Sequence, residues 1–356
     1  MSKTRVWVLL GVVLVVGLTT AVYAGLSALA QDDIKRVLAY STISQLGFMF
    51  VAAGLEAYAA AIFLLVAHAA YKALLFLSAG SVMHGMHDET DMKRMGGLWR
   101  PMPWTAALMT VGALSLAGVI GLSGYFGKDA ILTIASEGGR QVVYGVGIVA
   151  AVLSALYVGR LLSLTVFGAA RSDQARAAHE SPWIMIVPLL VLAAGAMGLG
   201  ILAWNKETGI LPVLLAPVTG ELEAGTAGPP EVVLITISQV VGIGGLLLAW
   251  FVYGSGRIDW LAVRVRLASL HRFLQGGMYV DDLYSSALVA PGKAGSAFLA
   301  YVVDNGVIDG LVNGTGSLFQ GLARTGRRVQ TGLVRTYALW FLVGALLLLA
   351  FAGSRL

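Results

Sequence analysis

Residues 57–83 read AYAAAIFLLVAHAAYKALLFLSAGSVM, and they decide the fold. As helix the stretch is long enough to cross about 30 Å of hydrocarbon. Its backbone can satisfy its own hydrogen bonds there only in that form. Yet it carries His68 and Lys72 near its middle. Outward from this stretch, residues 6–30, 37–55, 183–204, 232–256 and 336–354 contain no Asp, Glu, Lys, Arg or His. Two more apolar runs carry ionisable groups: 104–136 holds Lys128 and Asp129, and 140–168 holds Arg160 near one end. The expectation is an all-α polytopic membrane protein of about eight membrane elements.

Composition agrees. Only 12% of the residues are charged, against about 25% in an average soluble domain, so a water-soluble multidomain enzyme is excluded. Cysteine is absent, which removes disulfides, iron–sulfur ligation and thiol catalysis from this chain. The net charge of +5 is read as basic loops beside a membrane, not as nucleic-acid binding.

Those loops orient the chain. Lys35 and Arg36 follow the first span, Lys93, Arg94 and Arg100 the third, Arg171 and Arg176 the fifth, and Arg257, Arg264, Arg266 and Arg272 the seventh. The alternate connections are nearly bare, with Glu56, then Glu137 and Arg140, then Lys206 as the sole base. The positive-inside rule puts the basic connections in the cytoplasm and both termini opposite. Lys3 and Arg5 argue the other way. Between the last two spans, residues 276–335 scatter Asp281, Asp282, Lys293, Asp304, Asp309, Arg324, Arg327 and Arg328 among apolar clusters. This reads as a long amphipathic helix lying along the membrane surface, with breaks expected at Pro291 and the glycines. A soluble linker is the alternative.

Ionisable groups in hydrocarbon are costly, so they mark function by default. His68 and Lys72 lie four residues apart on one helical face. Two bases so placed discourage each other's charging, so a proton is held there loosely. Packing alone, with Lys72 paired to a distant carboxylate, is the alternative. A second site is Gly118, Gly121, Gly124 and Gly127 followed by Lys128 and Asp129. Glycine at every third position makes a regular helix costly, so the span is read as discontinuous, unwound where it lines a polar cavity. Lys128 then stands at the break with Asp129 as counter-ion; a surface loop is the alternative. Ser41, Thr42, Ser44 and Gln45 read as helix–helix glue, and Arg160 as a snorkelling end residue. His84 and His87 with Asp88, Glu89 and Asp91 read as a solvated loop and not a metal site.

Several of these stretches carry a family resemblance. Asp33–Gly47, DIKRVLAYSTISQLG, resembles the signature of the antiporter-like subunits of respiratory complex I. His68–Phe76, Met95–Leu98 and Gly124–Asp129 resemble its following motifs, and Tyr279–Tyr284 before a long amphipathic stretch resembles the subunit L branch. The resemblance implies a sixteen-helix protein of two inverted five-helix repeats, of which this chain matches the last eight spans and the lateral helix. It implies a truncated or split subunit whose missing N-terminal half is supplied, where it exists, by a separate chain. On this pattern 1–170 is a five-helix repeat forming a proton half-channel, 171–275 adds two spans, 276–335 is the lateral helix, and 336–356 is the anchor.

The resemblance further implies proton transfer through Lys72, His68, Lys128 and Asp129, in a subunit of NADH-quinone oxidoreductase. The chain itself would carry no catalytic, cofactor-binding or metal residues. NADH, FMN, iron–sulfur clusters and quinone are expected on other subunits. The expected partners are neighbouring antiporter-like subunits along the lateral helix and the bilayer of the cell (inner) membrane, with the basic loops and lateral helix cytoplasmic. Departures from the pattern are Leu64 for a second histidine, Ile120 and Gly121 for paired prolines, and Ala130 for an acidic residue. A non-pumping structural remnant and a subunit of a multi-subunit cation/proton antiporter stay open.

Overall fold

The computed structural model describes residues 3–203, 209–219, 229–328 and 330–355. Trp204 and Lys206 lie outside them. The chain divides into two compact units, one ending at Tyr279 and one starting at Val280.

The first unit is a bundle built around α1 (Lys3–Ala30), α2 (Ile34–Gly54), α3 (Tyr58–Gly85), α4 (Pro103–Ala117), α5 (Ser123–Glu137) and α6 (Gln141–Thr165). The short α7 (Asp173–Arg176) leads to α8 (Trp183–Gly198), α9 (Ile210–Thr219) and α10 (Glu231–Ala249). Two further short helices, α11 (Trp260–Arg266) and α12 (Ala268–Gln275), complete it. Asp33 starts α2 by accepting the amides of Lys35 and Arg36 at 2.8 and 3.0 Å, an ordinary N-cap. Small residues let α1 and α2 approach backbone to backbone: a Cβ added at Gly17 would stand 2.7 Å from the Val51 nitrogen, and one at Gly47 2.6 Å from the Ala21 nitrogen. Much of the outer surface is apolar, with Ile184 82% and Val232 73% exposed. Such a surface needs a bilayer and not water. With eight helices among the described residues long and apolar enough to cross one, this is an integral membrane protein.

Seven of the expected spans are unbroken helices. The eighth, 104–136, is discontinuous: α4 ends with Gly118 at φ +83, and Gly121 turns back at φ +86 before α5 begins. A Cβ at Gly124 would collide with the Ser115 carbonyl, so the two half-helices meet at a contact only glycine permits.

On the side of the basic loops, the motif Met95–Leu98 is structural. Gly97 and Trp99 donate to the carbonyls of Phe167 and Val166 at 3.1 Å, and a Cβ at Gly96 (φ +114) would collide with the Ala169 carbonyl. The motif therefore docks the loop after α3 onto the end of α6. Arg160 does not snorkel. It is 3% exposed, donates to the Gln31 carbonyl and pairs with Asp32 at 2.9 Å. Once Asp32 supplies a charge partner within the protein, reaching out for water has no advantage.

The second unit begins with a helix that runs unbroken from Val280–Tyr284 to Asp309–Arg327. The chain does break at Gly277–Tyr279, where φ is +61, +52 and +57, but the breaks expected at Pro291 and the glycines within this helix are absent. Wider π-turns at Ser285–Val289 and Leu299–Ile308 replace them. The first directly precedes Pro291, whose ring and missing N–H a regular turn accommodates poorly. From Val280 to Arg327 the helix extends about 70 Å, far more than one bilayer crossing requires. It ranks among the eight helices apolar enough to cross, while the discontinuous span, split into two shorter pieces, does not. The last helix is Val334–Gly353.

Candidate functional site

Lys72 and Lys128 are both buried, 5% and 4% exposed, and His68 is 6% exposed. Lys72 projects from the middle of α3 and donates to the Ser41 hydroxyl of α2, which in turn donates to the Leu38 carbonyl at 2.8 Å. Its ammonium also stands over the Phe76 ring at 5.6 Å, a cation–π contact that partly replaces lost hydration. The His68 ring meets Tyr71 edge to face at 5.4 Å, and its Nε2 has no hydrogen-bond partner among the described residues.

A polar lattice crosses from α3 to α6 behind this pair. Tyr71 donates to Gln45 Oε1 at 3.4 Å, Gln45 Nε2 donates to the Tyr157 hydroxyl at 3.5 Å, and Ser44 donates to the Ala21 carbonyl at 2.9 Å. These polar atoms are buried, where unpaired groups would be expensive. The serines and glutamine of α2 therefore do more than join helices, since Ser41 holds the Lys72 ammonium.

Lys128 reaches from α5 across the helix break. It donates to the Leu116 carbonyl, left free in the last turn of α4, and to the Ser154 hydroxyl of α6 at 2.9 Å. The Phe48 ring of α2 lies 5.7 Å from its ammonium. A helix that ends inside hydrocarbon leaves carbonyls without intrahelical partners, and here one of them is turned to use. Gln239 of α10 satisfies the rest of the break, accepting from the Ile120 amide at 2.9 Å and donating to the Gly118 carbonyl at 3.1 Å. Its one sequence signal is a single glutamine in an otherwise apolar run, and reading residues as ionisable or not passed it over.

Asp129 lines, with Lys128, Tyr125 and Ser238, a cavity of ≈ 20 Å³, about the room one water needs. His84 and His87 are exposed beside His179, with ring centroids 5.7 and 6.4 Å from it. Among the described residues no group of three or more His, Cys, Asp or Glu could hold a metal ion.

Residues 3–154, which contain both lysines and both serines, match the sequence family described as NADH:quinone oxidoreductase/Mrp antiporter, transmembrane. NADH-quinone oxidoreductase subunit L of Mycobacterium tuberculosis is 37% identical over 344 residues, 95% of this chain and 54% of that protein. The chain belongs to this antiporter-like family. A second member, F(420)H(2) dehydrogenase subunit L of Methanosarcina mazei, is 36% identical over 362 residues, 93% of this chain and 53% of its own. The Mrp complex from Dietzia sp. DQ12-45-1b contains a structural neighbour with a TM-score of 0.61 and 25% identity, covering 88% of this chain and 33% of that one. The chain thus spans about half the length of the curated family members it matches.

Proposed function

We propose that this antiporter-like chain is a proton-translocating membrane subunit of an NADH-quinone oxidoreductase. Protons pass by Lys72, whose charge His68 modulates, towards Lys128 and Asp129 and the side opposite the basic loops, which face the cytoplasm. Quinone reduction, with its NADH, FMN and iron–sulfur clusters, takes place on other subunits, and the long helix lies along neighbouring antiporter-like subunits. One observation carries this reading. Two amines sit deep inside apolar helices, held by hydroxyls and a freed carbonyl. A purely structural charge in hydrocarbon needs a partner charge to be tolerated. An amine held by neutral acceptors can instead release its proton without stranding a countercharge.

The test is proton pumping in inverted membrane vesicles carrying Lys72→Ala or Lys128→Ala. Pumping per electron should fall while the assembled complex persists. Unchanged proton-to-electron ratios in both variants would refute the reading. The likeness to the Mrp complex favours a second reading, a subunit of a multi-subunit cation/proton antiporter. It predicts cation-dependent proton exchange that proceeds without any electron donor.

A further inference from the structure

A concavity of the first unit lies away from both lysines, where α11 and α12 cover the ends of α1 and α6. It measures ≈ 200 Å³. Pockets that enclose a whole drug-sized ligand run from about 300 to 1,000 Å³, so this one suits one end of a longer molecule. One wall is aliphatic, from Leu267, Leu270 and Leu274, and the other side presents Arg160, Arg264 and His271. Tyr253 and Trp260, whose rings pack 5.7 Å apart, close one side.

The polar side has an excess of positive charge. Asp32 is met by Arg160 at 2.9 Å, Arg264 at 2.8 Å and Lys93 at 3.2 Å. Lys93 also pairs with Asp91 at 3.4 Å, so two carboxylates face three cations, and Arg257, Arg266 and Arg272 outnumber Asp259 in the same segment. His271 Nε2 is buried with no partner among the described residues. Burial, then the Arg264 charge, lowers the His271 pKa, so at neutral pH the ring is neutral and can donate from one nitrogen. The site therefore offers an apolar slot, a spare hydrogen-bonding group and a net positive field, at the edge of a membrane bundle where basic residues gather.

We propose that this cavity is a binding site for an anionic phospholipid. Its acyl chain lies among Leu267, Leu270 and Leu274, and its phosphate meets Arg264 and His271. Each of the three chemical features answers one part of that molecule. A free inorganic anion would leave the aliphatic wall unused, and a zwitterionic lipid would leave the charge excess unanswered.

The experiment uses the full chain purified in detergent and loaded from mixed micelles of equal phosphatidylglycerol and phosphatidylcholine, with retained lipid weighed by mass spectrometry. The parent should retain phosphatidylglycerol over phosphatidylcholine. Arg264→Gln should cut that retention about fivefold, the effect of one basic residue at a membrane surface. Leu270→Trp, which fills the slot and leaves the Asp32 ion pairs alone, should abolish it. Should Arg264→Gln fail to fold, the Leu270→Trp result decides. Equal retention of the two lipids by the parent, undiminished phosphatidylglycerol in Leu270→Trp, or full displacement by inorganic phosphate would each overturn the proposal.

Discussion

Arg160 of α6 and Asp32 of the α1–α2 link form a 2.9 Å ion pair in which the arginine is 3% and the aspartate 8% exposed. The pair ties the α1–α2 link to α6. Arg264 and Gln275 reach the second oxygen of the same carboxylate at 2.8 and 3.5 Å. Removing one member of a buried pair strands the other's charge, at about 3–5 kcal/mol. Asp32→Asn should therefore destabilise the first unit by about 3 kcal/mol in a denaturant titration in detergent. Arg160→Ala should do about as much.

The same carboxylate sets a pH dependence. Burial alone would push the Asp32 carboxyl up, but Arg160, Arg264 and Lys93 together outweigh it and hold the group below the usual carboxylate range. A depressed folded pKa contributes stability that is fully present above the unfolded value of about 4 and is lost as pH falls through the lower folded value. The stability difference between parent and Asp32→Asn should be constant from neutral pH down to about 4 and shrink below it. A difference that instead grows on acidification would contradict the ion-pair assignment.

Close helix contact gives a third expectation. A Cβ at Gly47 would stand 2.6 Å from the Ala21 nitrogen and 2.8 Å from the Gly17 carbonyl oxygen, both backbone atoms that cannot swing aside. Gly47→Ala should cost about 1–3 kcal/mol. Gly11→Ala on α1, where nothing lies within 4 Å, should be neutral. Paired thermal melts of the two variants check this. Similar losses in both would show that the cost is general to replacing a glycine in these helices and not specific to the α1–α2 contact.

How far the sequence alone carries the structure can be read at particular residues. Length and apolarity located the spans, because hydrocarbon leaves the backbone few choices. The glycines at 118, 121 and 124 located the break: the first two take positive φ, and a Cβ on the third would strike the Ser115 carbonyl. The burial of Lys72 and Lys128 was legible for the same reason, each sitting too far from a span end to reach water. The partners were not legible. Ser41, Ser154 and Gln239 become specific only when α2, α6 and α10 come together, and pairings across 26 to 121 residues leave no local pattern. Arg160 was misread because its partner Asp32 lies 128 residues away.

Gln239 stands in for the hydrogen bonds that the break in 104–136 gives up. Gln239→Leu orphans the Ile120 amide and the Gly118 carbonyl in an apolar setting, each worth about 1–3 kcal/mol. Hydrogen exchange at Ile120 should accelerate and Lys128-dependent pumping should drop. Gln239→Glu keeps an acceptor for the Ile120 amide and should show the smaller exchange effect. Identical exchange in parent and Gln239→Leu would mean that the break is satisfied from elsewhere.

The two lysines differ in how many acceptors hold them, and that difference can be measured. Ser41 is the hydrogen-bond acceptor of Lys72 among the described residues, while Lys128 has both Ser154 and the Leu116 carbonyl. Taking away a hydroxyl that holds a buried ammonium costs about 1–3 kcal/mol, and 1.4 kcal/mol is tenfold in an equilibrium. Ser41→Ala should slow pumping about tenfold, because no second acceptor replaces the hydroxyl. Ser154→Ala should slow it less, because the Leu116 carbonyl stays. Ser41→Thr keeps the hydroxyl and should recover most of the rate, which a loss of packing alone would not allow. Initial pumping rates in vesicles of matched complex content give the comparison, and a larger defect in Ser154→Ala than in Ser41→Ala would reverse the assignment of the more dependent lysine.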